Sequence, residues 1–250
     1  MSDGIYVALC GALGQNSLLE TTANNLANTS TDGYQRLRPV FHQVLSSVGG
    51  AASRRTSAVT VSSMAVDPEV GALRTTGRQM DAALPAGTYL AVTTPRGERY
   101  TRAASLVVDG HGAVRTAQGH VVLNELNQPL VLPQGITDVS LAVNGEIRSG
   151  TAVNGGMAPP VTLSRLKLVT FQDPTQLRNE GATLLTPNGA VPTLARDPVI
   201  TVGSLEGSNA TTVGAMTELV TATRTFEAFQ RVIDTFRDAD RQAVTSVPRP

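Results

Sequence analysis

The side chains that could carry chemistry are few and scattered along this chain. It has three histidines, His42, His111 and His120, and a single cysteine, Cys10. His111 and His120 fall on either side of one expected strand and could meet at a metal ion. No third ligand stands at a spacing that would complete the set, so they read as solvated turn residues. Cys10 has no flanking histidine or basic residue to activate its thiol and reads as a small packing side chain. One cysteine also excludes an internal disulfide framework. Ser46-Ser47 and Ser62-Ser63 lack the glycines of a nucleophile elbow. Gly71 to Gly77 lacks the Lys-Ser/Thr of a phosphate-cradling loop. Asp238 and Asp240 sit on the charged part of an expected helix, a solvated face rather than an acid–base pair. The sequence points to no catalytic residue, no metal ligand and no cofactor.

Composition narrows the partners. Acidic and basic residues balance at 20 each, so no excess of positive charge argues for nucleic acid. Aromatics make up 4% and Trp is absent, which disfavours a stacking platform for bases or sugars and a small-molecule substrate. With 41% apolar residues in 250, a sizeable core is expected, in one large domain or two modest ones. No run approaches the ~20 apolar residues of a membrane-spanning helix, and Met1 to Tyr6 has no basic n-region followed by an apolar block. The chain is expected not to span a membrane and to carry no cleaved secretory signal.

The elements that must position these residues are helical at the two ends and β-rich between them. At the front, Ile5, Leu9, Ala12, Asn16, Leu19, Ala23 and Leu26 step by four and three, a heptad-like seam with one polar position at Asn16. The helix is expected from about Ile5 to Asn28, closed by Asn28-Thr29-Ser30-Thr31-Asp32-Gly33. At the back, Leu219, Ala222, Phe226, Phe229, Ile233 and Phe236 keep the same step, with Met216, Val220 and Val232 widening the stripe and Gln230 beside it. That helix is expected from about Thr212 to Ala243. Val244 to Pro250 is expected to fray.

Residues 37–69 read as an extended connection containing the small-residue patch Gly49-Gly50-Ala51-Ala52-Ser53. From about Gly71 to Val202 short β-branched runs dominate: Tyr89–Thr93, Leu106–Val108, His120–Leu123, Val139–Val143 and Leu166–Phe171. Asp109-Gly110-His111-Gly112, Asn144-Gly145, Asn154-Gly155-Gly156 and Asn188-Gly189 supply turns between them, with Asn144-Gly145 the strongest hairpin signal. The expected fold class is α+β: N- and C-terminal helices pairing as a coiled-coil-like axial element around a mostly antiparallel β domain. The expected division is 1–36, 37–69, 70–202 and 203–250. Packing both helices on the β middle as a plain core is the alternative to a helix pair that is exposed in the monomer and buried in a polymer.

Thr22-Ala23-Asn24-Asn25-Leu26-Ala27-Asn28, running on through Thr31-Asp32-Gly33-Tyr34, resembles the N-terminal signature of the bacterial flagellar rod and hook proteins. Leu205-Glu206-Gly207-Ser208-Asn209, then Met216-Thr217-Glu218-Leu219 and Arg224-Thr225-Phe226-Glu227, resemble its C-terminal half. Gly71-Ala72-Leu73 with Thr76-Gly77-Arg78, and Asp81-Ala82-Ala83-Leu84, look like the family's entry to its β domain, and Tyr100-Thr101-Arg102 followed by Asp109-Gly110-His111-Gly112 is similar to its next hairpin. Two departures stand out: Pro85-Ala86-Gly87-Thr88-Tyr89 replaces a Gly-x-Gly-Phe-Phe turn, and Ala103-Ala104 replaces Asn-Gly. Within the family, Arg165 to Val169 and Leu205 to Asn209 are most similar to proximal rod members, with a distal rod or hook-type protein as the alternative.

The resemblance implies a structural subunit of the flagellar basal-body rod, exported through the flagellar type III apparatus without signal cleavage and residing in the periplasmic rod. Its implied partners are other rod proteins and copies of itself. It further implies a subunit interface on the terminal helices, expected at Ile5, Leu9, Leu19, Asn24, Asn25, Leu26, Asn28, Met216, Leu219, Phe226, Phe229, Ile233 and Phe236. A β-rich cell-wall enzyme or a free ligand-binding module is the reading from another class.

Overall fold

The computed structural model describes residues 2–47, 55–133, 138–149, 152–153, 156–157, 161–181 and 183–245. The Gly49–Ser53 patch, the Asn154-Gly155 part of one expected turn and residues 246–250 of the tail lie outside the described residues. The chain forms two compact units, one from Met1–Ala27, Leu37–Ala65 and Thr211–Pro250, the other from Asn28–Arg36 and Val66–Ala210.

The first unit contains helix α1 (Ser2–Ala27), helix α2 (Thr212–Thr245) and strands β1 (Leu37–Ser47) and β2 (Arg55–Val66), which pair as a two-stranded sheet. At 34 residues α2 spans ~50 Å. Threonine is a weak helix former, yet α2 is rich in it. Thr217, Thr221 and Thr225 each donate their hydroxyl to the carbonyl four residues back, at 2.9 Å, so the polar group is satisfied within the helix. The Thr21 hydroxyl of α1 donates to the Ser17 carbonyl in the same way, at 2.7 Å.

The second unit is antiparallel throughout its described pairings. It begins with β3 (Leu73–Thr75), β4 (Asp81–Ala83), β5 (Thr88–Thr94), β6 (Gly97–Thr101) and β7 (Ala104–Val108). The centre is β5, which pairs with β6, Val121–Val122 and Leu168–Phe171. Thr88 to Val92 are all buried, so β5 is covered on both faces and its sequence runs apolar instead of alternating. Leu90, Leu106, Val114, Val122, Leu168 and Ile200 are among the side chains of the core packed around it. Phe171 meets Tyr89 and Tyr100 edge-on, with ring centroids 5.6 and 4.9 Å apart.

The Asn144-Gly145 hairpin forms, pairing Leu141 with Ile147, and Gly145 adopts φ +80°. Its first strand ends at Leu141, two residues earlier than the sequence suggests, because Ala142 already accepts the turn hydrogen bond from Gly145 at 2.9 Å. The expected strand Leu166–Phe171 starts only at Leu168. The amides of Leu166 and Lys167 instead donate to Gly145 and Leu123 outside that ladder.

Two half-buried carboxylates tie turns of this unit to arginines. Asp109 accepts from Arg115 Nε at 2.7 Å and from the amides of Ala113 and His111 at 2.9 Å, which holds it down at about 2. Glu180 is also held at about 2, by Arg99 first and then Arg96. Both folded values lie below the ordinary carboxylate range, so protons bind the unfolded chain more readily. Their contribution is present above pH ~4 and is lost as pH falls through about 2. In acid titrations followed by circular dichroism, the β unit should keep constant stability above pH ~5 and lose it between pH ~4 and ~2. Asp109→Asn should make that loss shallower.

Candidate assembly surface on the terminal helices

Glycine and phenylalanine set the register of α1 against α2. A Cβ built on Gly4 would sit 2.9 Å from Phe236 Cζ, and one built on Gly11 would sit 2.5 Å from Phe229 Cε1. Seven residues forward along α1 match seven residues back along α2, so the helices run antiparallel. The same step carries Leu18 opposite Ala222 and Asn25 opposite Ala215. Ala222 and Ala215 are both buried. Large faces small at each level, with the large residue on α2 toward one end and on α1 toward the other. Ala8 and Ala12 are buried on α1, and the Phe41 ring of β1 lies 3.5 Å from the Cβ position of Gly14.

The thirteen residues expected at a subunit interface therefore divide. Leu219, Phe226, Phe229, Ile233 and Phe236 are half-buried, with Phe229 and Phe236 turned onto α1 of the same chain. Ile5, Leu19, Leu26 and Asn28 are also half-buried. Leu9, Asn24 and Met216 are exposed. The buried side of α1 is turned by one residue, ~100°, from the expected stripe: Gly4, Ala8, Gly11, Thr22 and Asn25 lie inward, while Asn16 and Ala23 are exposed. Asn16 is thus no polar seam position, and it donates to Glu20 Oε1 at 2.8 Å on the outer side. The large residues of α1 mark the neighbouring stripe, on which Ala12 is buried and Ile5, Leu19 and Leu26 are half-buried. The signal that marks the intrachain seam is small residues at four–three spacing, which only gains meaning opposite a Phe-rich partner.

Asn25 is 2% exposed, and its amide works inside the chain. Its Nδ2 donates to the Leu37 carbonyl and its Oδ1 accepts from the Leu37 amide, both at 2.9 Å. This two-bond clasp satisfies the backbone at the start of β1 as a neighbouring strand would. It holds the chain's return past the end of α1.

In the second unit, the segments leading out of α1 and into α2 are gathered on one buried ion pair, whose two residues fall in separate motifs of the sequence, Arg102 in a hairpin and Glu206 in the segment before the long helix. The Arg102 side chain is fully buried, and Glu206 nearly so. Arg102 Nε donates to Glu206 Oε2 at 2.8 Å, and Nη2 donates to the same carboxylate. The remaining guanidinium hydrogens reach the carbonyls of Thr88 at 2.8 Å and of Pro85 and Leu84 at 3.1 Å. The departing turn Pro85-Ala86-Gly87 thus acts as an acceptor cradle for Arg102. Glu206 also accepts from the Gly71 amide at 3.0 Å, and its backbone carbonyl accepts from Gly33 at 2.7 Å. Gly33 has φ +71°, and any Cβ there would collide with the Ala103 amide. Asn209 completes the knot: its Oδ1 accepts from the Arg36 amide at 2.6 Å, and its Nδ2 donates to the carbonyls of Asp67 and Glu69 at 3.1 and 2.9 Å. Burial pushes the Tyr34 hydroxyl up to about 12.

No group of three or more metal-ligating side chains occurs among the described residues. A cleft of about 490 Å³ beside Leu141, Asn144, Arg148, Asp197 and Val199 holds one arginine and one aspartate but no nucleophile paired with a base. No helix is long and apolar enough to cross a membrane among the described residues.

Three family profiles match in chain order: "Flagella basal body rod protein" over residues 5–35, "Flagellar hook protein FlgE/F/G D1 domain" over 85–149 and "Flagellar basal body rod FlgEFG protein C-terminal" over 201–246. The flagellar basal-body rod protein FlgF of Escherichia coli (strain K12) is 34% identical over 250 residues, covering 95% of each chain. This chain belongs to the flagellar basal-body rod protein family. FlgF of Salmonella typhimurium is also 34% identical, over 97% of each chain, and the basal-body rod protein FlgG of Bacillus subtilis (strain 168) is 26% identical over 94% of this chain and 95% of its own. Likeness to FlgF over nearly the full length sets this rod-family chain nearer FlgF than FlgG. The two outer profiles fall on α1 with its exit and on α2 with its approach, which include Gly11, Phe229 and Phe236 of the seam and Glu206 of the buried ion pair, while Arg102 lies in the middle profile.

Gly11→Ala should push Phe229 out of its seat and lower the stability of the helical unit by about 1–3 kcal/mol. Adding Phe229→Leu should recover most of that loss. Thermal melts at 222 nm on the two single variants and the double variant measure the coupling.

Proposed function

We propose that this chain is a structural, non-catalytic subunit of the flagellar basal-body rod, of the FlgF proximal type, and that it polymerises through its terminal helices. The observation that carries the reading is the pairing of the two chain ends into one helical element while apolar side chains on both helices stay outside that seam. A helix in water gains most of its stability from packing an amphipathic face. Tyr6, Leu9 and Leu13 on α1 and Met216 on α2 remain exposed after the two helices have packed on each other. Such surface is expected to be covered by neighbours in an assembly. The partners are other rod proteins and copies of this chain, in the basal body, with export through the flagellar type III apparatus. The helix pair acts as a coiled-coil-like axial element.

The intrachain seat of Phe229 changes what a charge at that position would do. Phe226→Asp with Phe229→Asp should open the seam inside each subunit, leave the β unit folded, and abolish rod formation and swimming. Basal bodies isolated from a strain lacking the native chain and complemented with this variant should lack the rod, whereas the wild-type chain restores it. Normal rods and swimming in the variant, or complete rods without any copy of the chain, would contradict the assignment.

A further inference from the structure

Asn144-Gly145 and Asn188-Gly189 both mark turns of the β unit, and the structure treats them oppositely. In such a pair the asparagine side-chain carbon lies within reach of the next amide nitrogen, and glycine has no Cβ to hinder ring closure. Asn144-Gly145 is held shut. Gly145 is buried, and its amide donates to the Ala142 carbonyl at 2.9 Å. Its own carbonyl accepts from the Leu166 amide at 2.9 Å, and the Asn144 carbonyl accepts from Arg165 Nε at 3.0 Å. Asn144 Oδ1 accepts from the Glu146 amide at 3.3 Å. The nitrogen that would attack is therefore committed to the turn, and the peptide groups on both sides of Gly145 are fixed. Asn188-Gly189 is open. Both residues are exposed, and a Cβ built on Gly189 would approach only Gln176 Oε1, at 3.9 Å. Among the described residues no backbone carbonyl accepts from the Gly189 amide, whereas the Asn188 amide donates to the Gln176 carbonyl at 3.1 Å and anchors the turn one residue earlier. With the Asn188 side-chain oxygen turned toward Arg178, Oδ1 accepts from Nε and Nη2, both at 3.3 Å.

We propose that Asn188 converts itself to an acid in the folded chain, with the Arg178 guanidinium stabilising the reacting oxygen. The Gly189 amide nitrogen gives its proton to the solvent and bonds to Asn188 Cγ, and Oδ1 carries the negative charge while that carbon is tetrahedral. Two donors already aimed at Oδ1 meet this charge without rearranging. The Cγ–Nδ2 bond then breaks, and Nδ2 leaves as ammonia with a proton from the solvent. Water opens the resulting five-membered imide at either carbonyl, which leaves aspartate or isoaspartate. No electron is gained or lost, and neither a cofactor nor a second protein takes part. The product places one new negative charge in front of Arg178. As aspartate it offers two carboxylate oxygens to Nε and Nη2, the bidentate pairing that suits guanidinium geometry. That pair ties the turn after the strand Leu184–Pro187 to the neighbouring strand Leu177–Gly181, where Arg178 already stands opposite Thr186. The β unit thus changes slowly after folding, at one turn, while the Asn144 hairpin stays as it was made. Nothing in the conversion requires assembly.

Peptide mapping of the full chain, aged in mildly alkaline buffer and digested in acid, tests the site. Amide-to-acid conversion should accumulate at Asn188 about tenfold faster than at Asn144, because the folded hairpin must first give up hydrogen bonds to free the Gly145 nitrogen. Arg178→Gln should slow conversion at Asn188 several-fold and leave Asn144 unchanged, with circular dichroism checking that the variant is folded. Arg178→Lys keeps the charge but loses the fork, and its rate should fall between the two, which gives a second reading should glutamine disturb the strand. In urea, where the structure no longer separates the two pairs, Asn144 and Asn188 should convert at similar rates and Arg178→Gln should make no difference. Equal rates at the two asparagines in the folded chain, or no acid formed at Asn188, overturn the proposal. Undiminished conversion at Asn188 in both Arg178 variants overturns the part assigned to Arg178.

Discussion

Phe229 fills a space on α1 that exists because residue 11 is glycine. That fit, repeated one heptad along by Phe236 over Gly4, fixes the sense and level at which the two ends of the chain meet. The sequence separation is more than 200 residues, so closing this contact is entropically slow unless the intervening chain is already compact. A glycine in mid-helix costs about 1 kcal/mol against alanine in an isolated helix. Here it lets an aromatic ring approach the backbone, and the ring's burial offsets the cost. With the seam closed by small residues on α1, the larger ones, Leu9 and Leu13 with Tyr6, are left facing outward.

The second unit meets a matching constraint at Arg102 and Glu206. A buried ion pair is costly unless every donor is satisfied, and Arg102 spreads its hydrogen bonds over Glu206 and three backbone carbonyls. Glu206 belongs to the strand that precedes α2, and its backbone holds Gly33, which follows α1. One buried pair therefore gathers, within the β unit, the segments through which the chain leaves one helix and approaches the other. Asn25 does a related task in the helical unit by clasping Leu37.

Periodicity made the two helices legible from the residues, within a few positions at each end, and turn chemistry located Asn144-Gly145 and Asp109–Gly112. Family membership followed from the Ala23–Asn28 and Leu205–Asn209 signatures. The inward stripe of α1 was not legible, because a hydrophobic count ranks Leu9 above Gly11 and cannot know that the facing helix brings phenylalanines. The same limit explains Asn25: an asparagine in a helix reads as a polar surface or seam position until the strand that its amide clasps is in place. The Arg102–Glu206 pair joins residues about 100 positions apart, and no local pattern in the sequence links them.

The account stands on the seam being closed within one chain. NMR of the dilute full-length protein reads this through the Gly11 Hα protons, which lie under the Phe229 ring. The account predicts a ring-shifted Gly11 signal with contacts to the Phe229 ring protons, unchanged as the protein is diluted. An unshifted Gly11 signal at low concentration, with contacts to Phe229 that emerge only as copies associate, would contradict it.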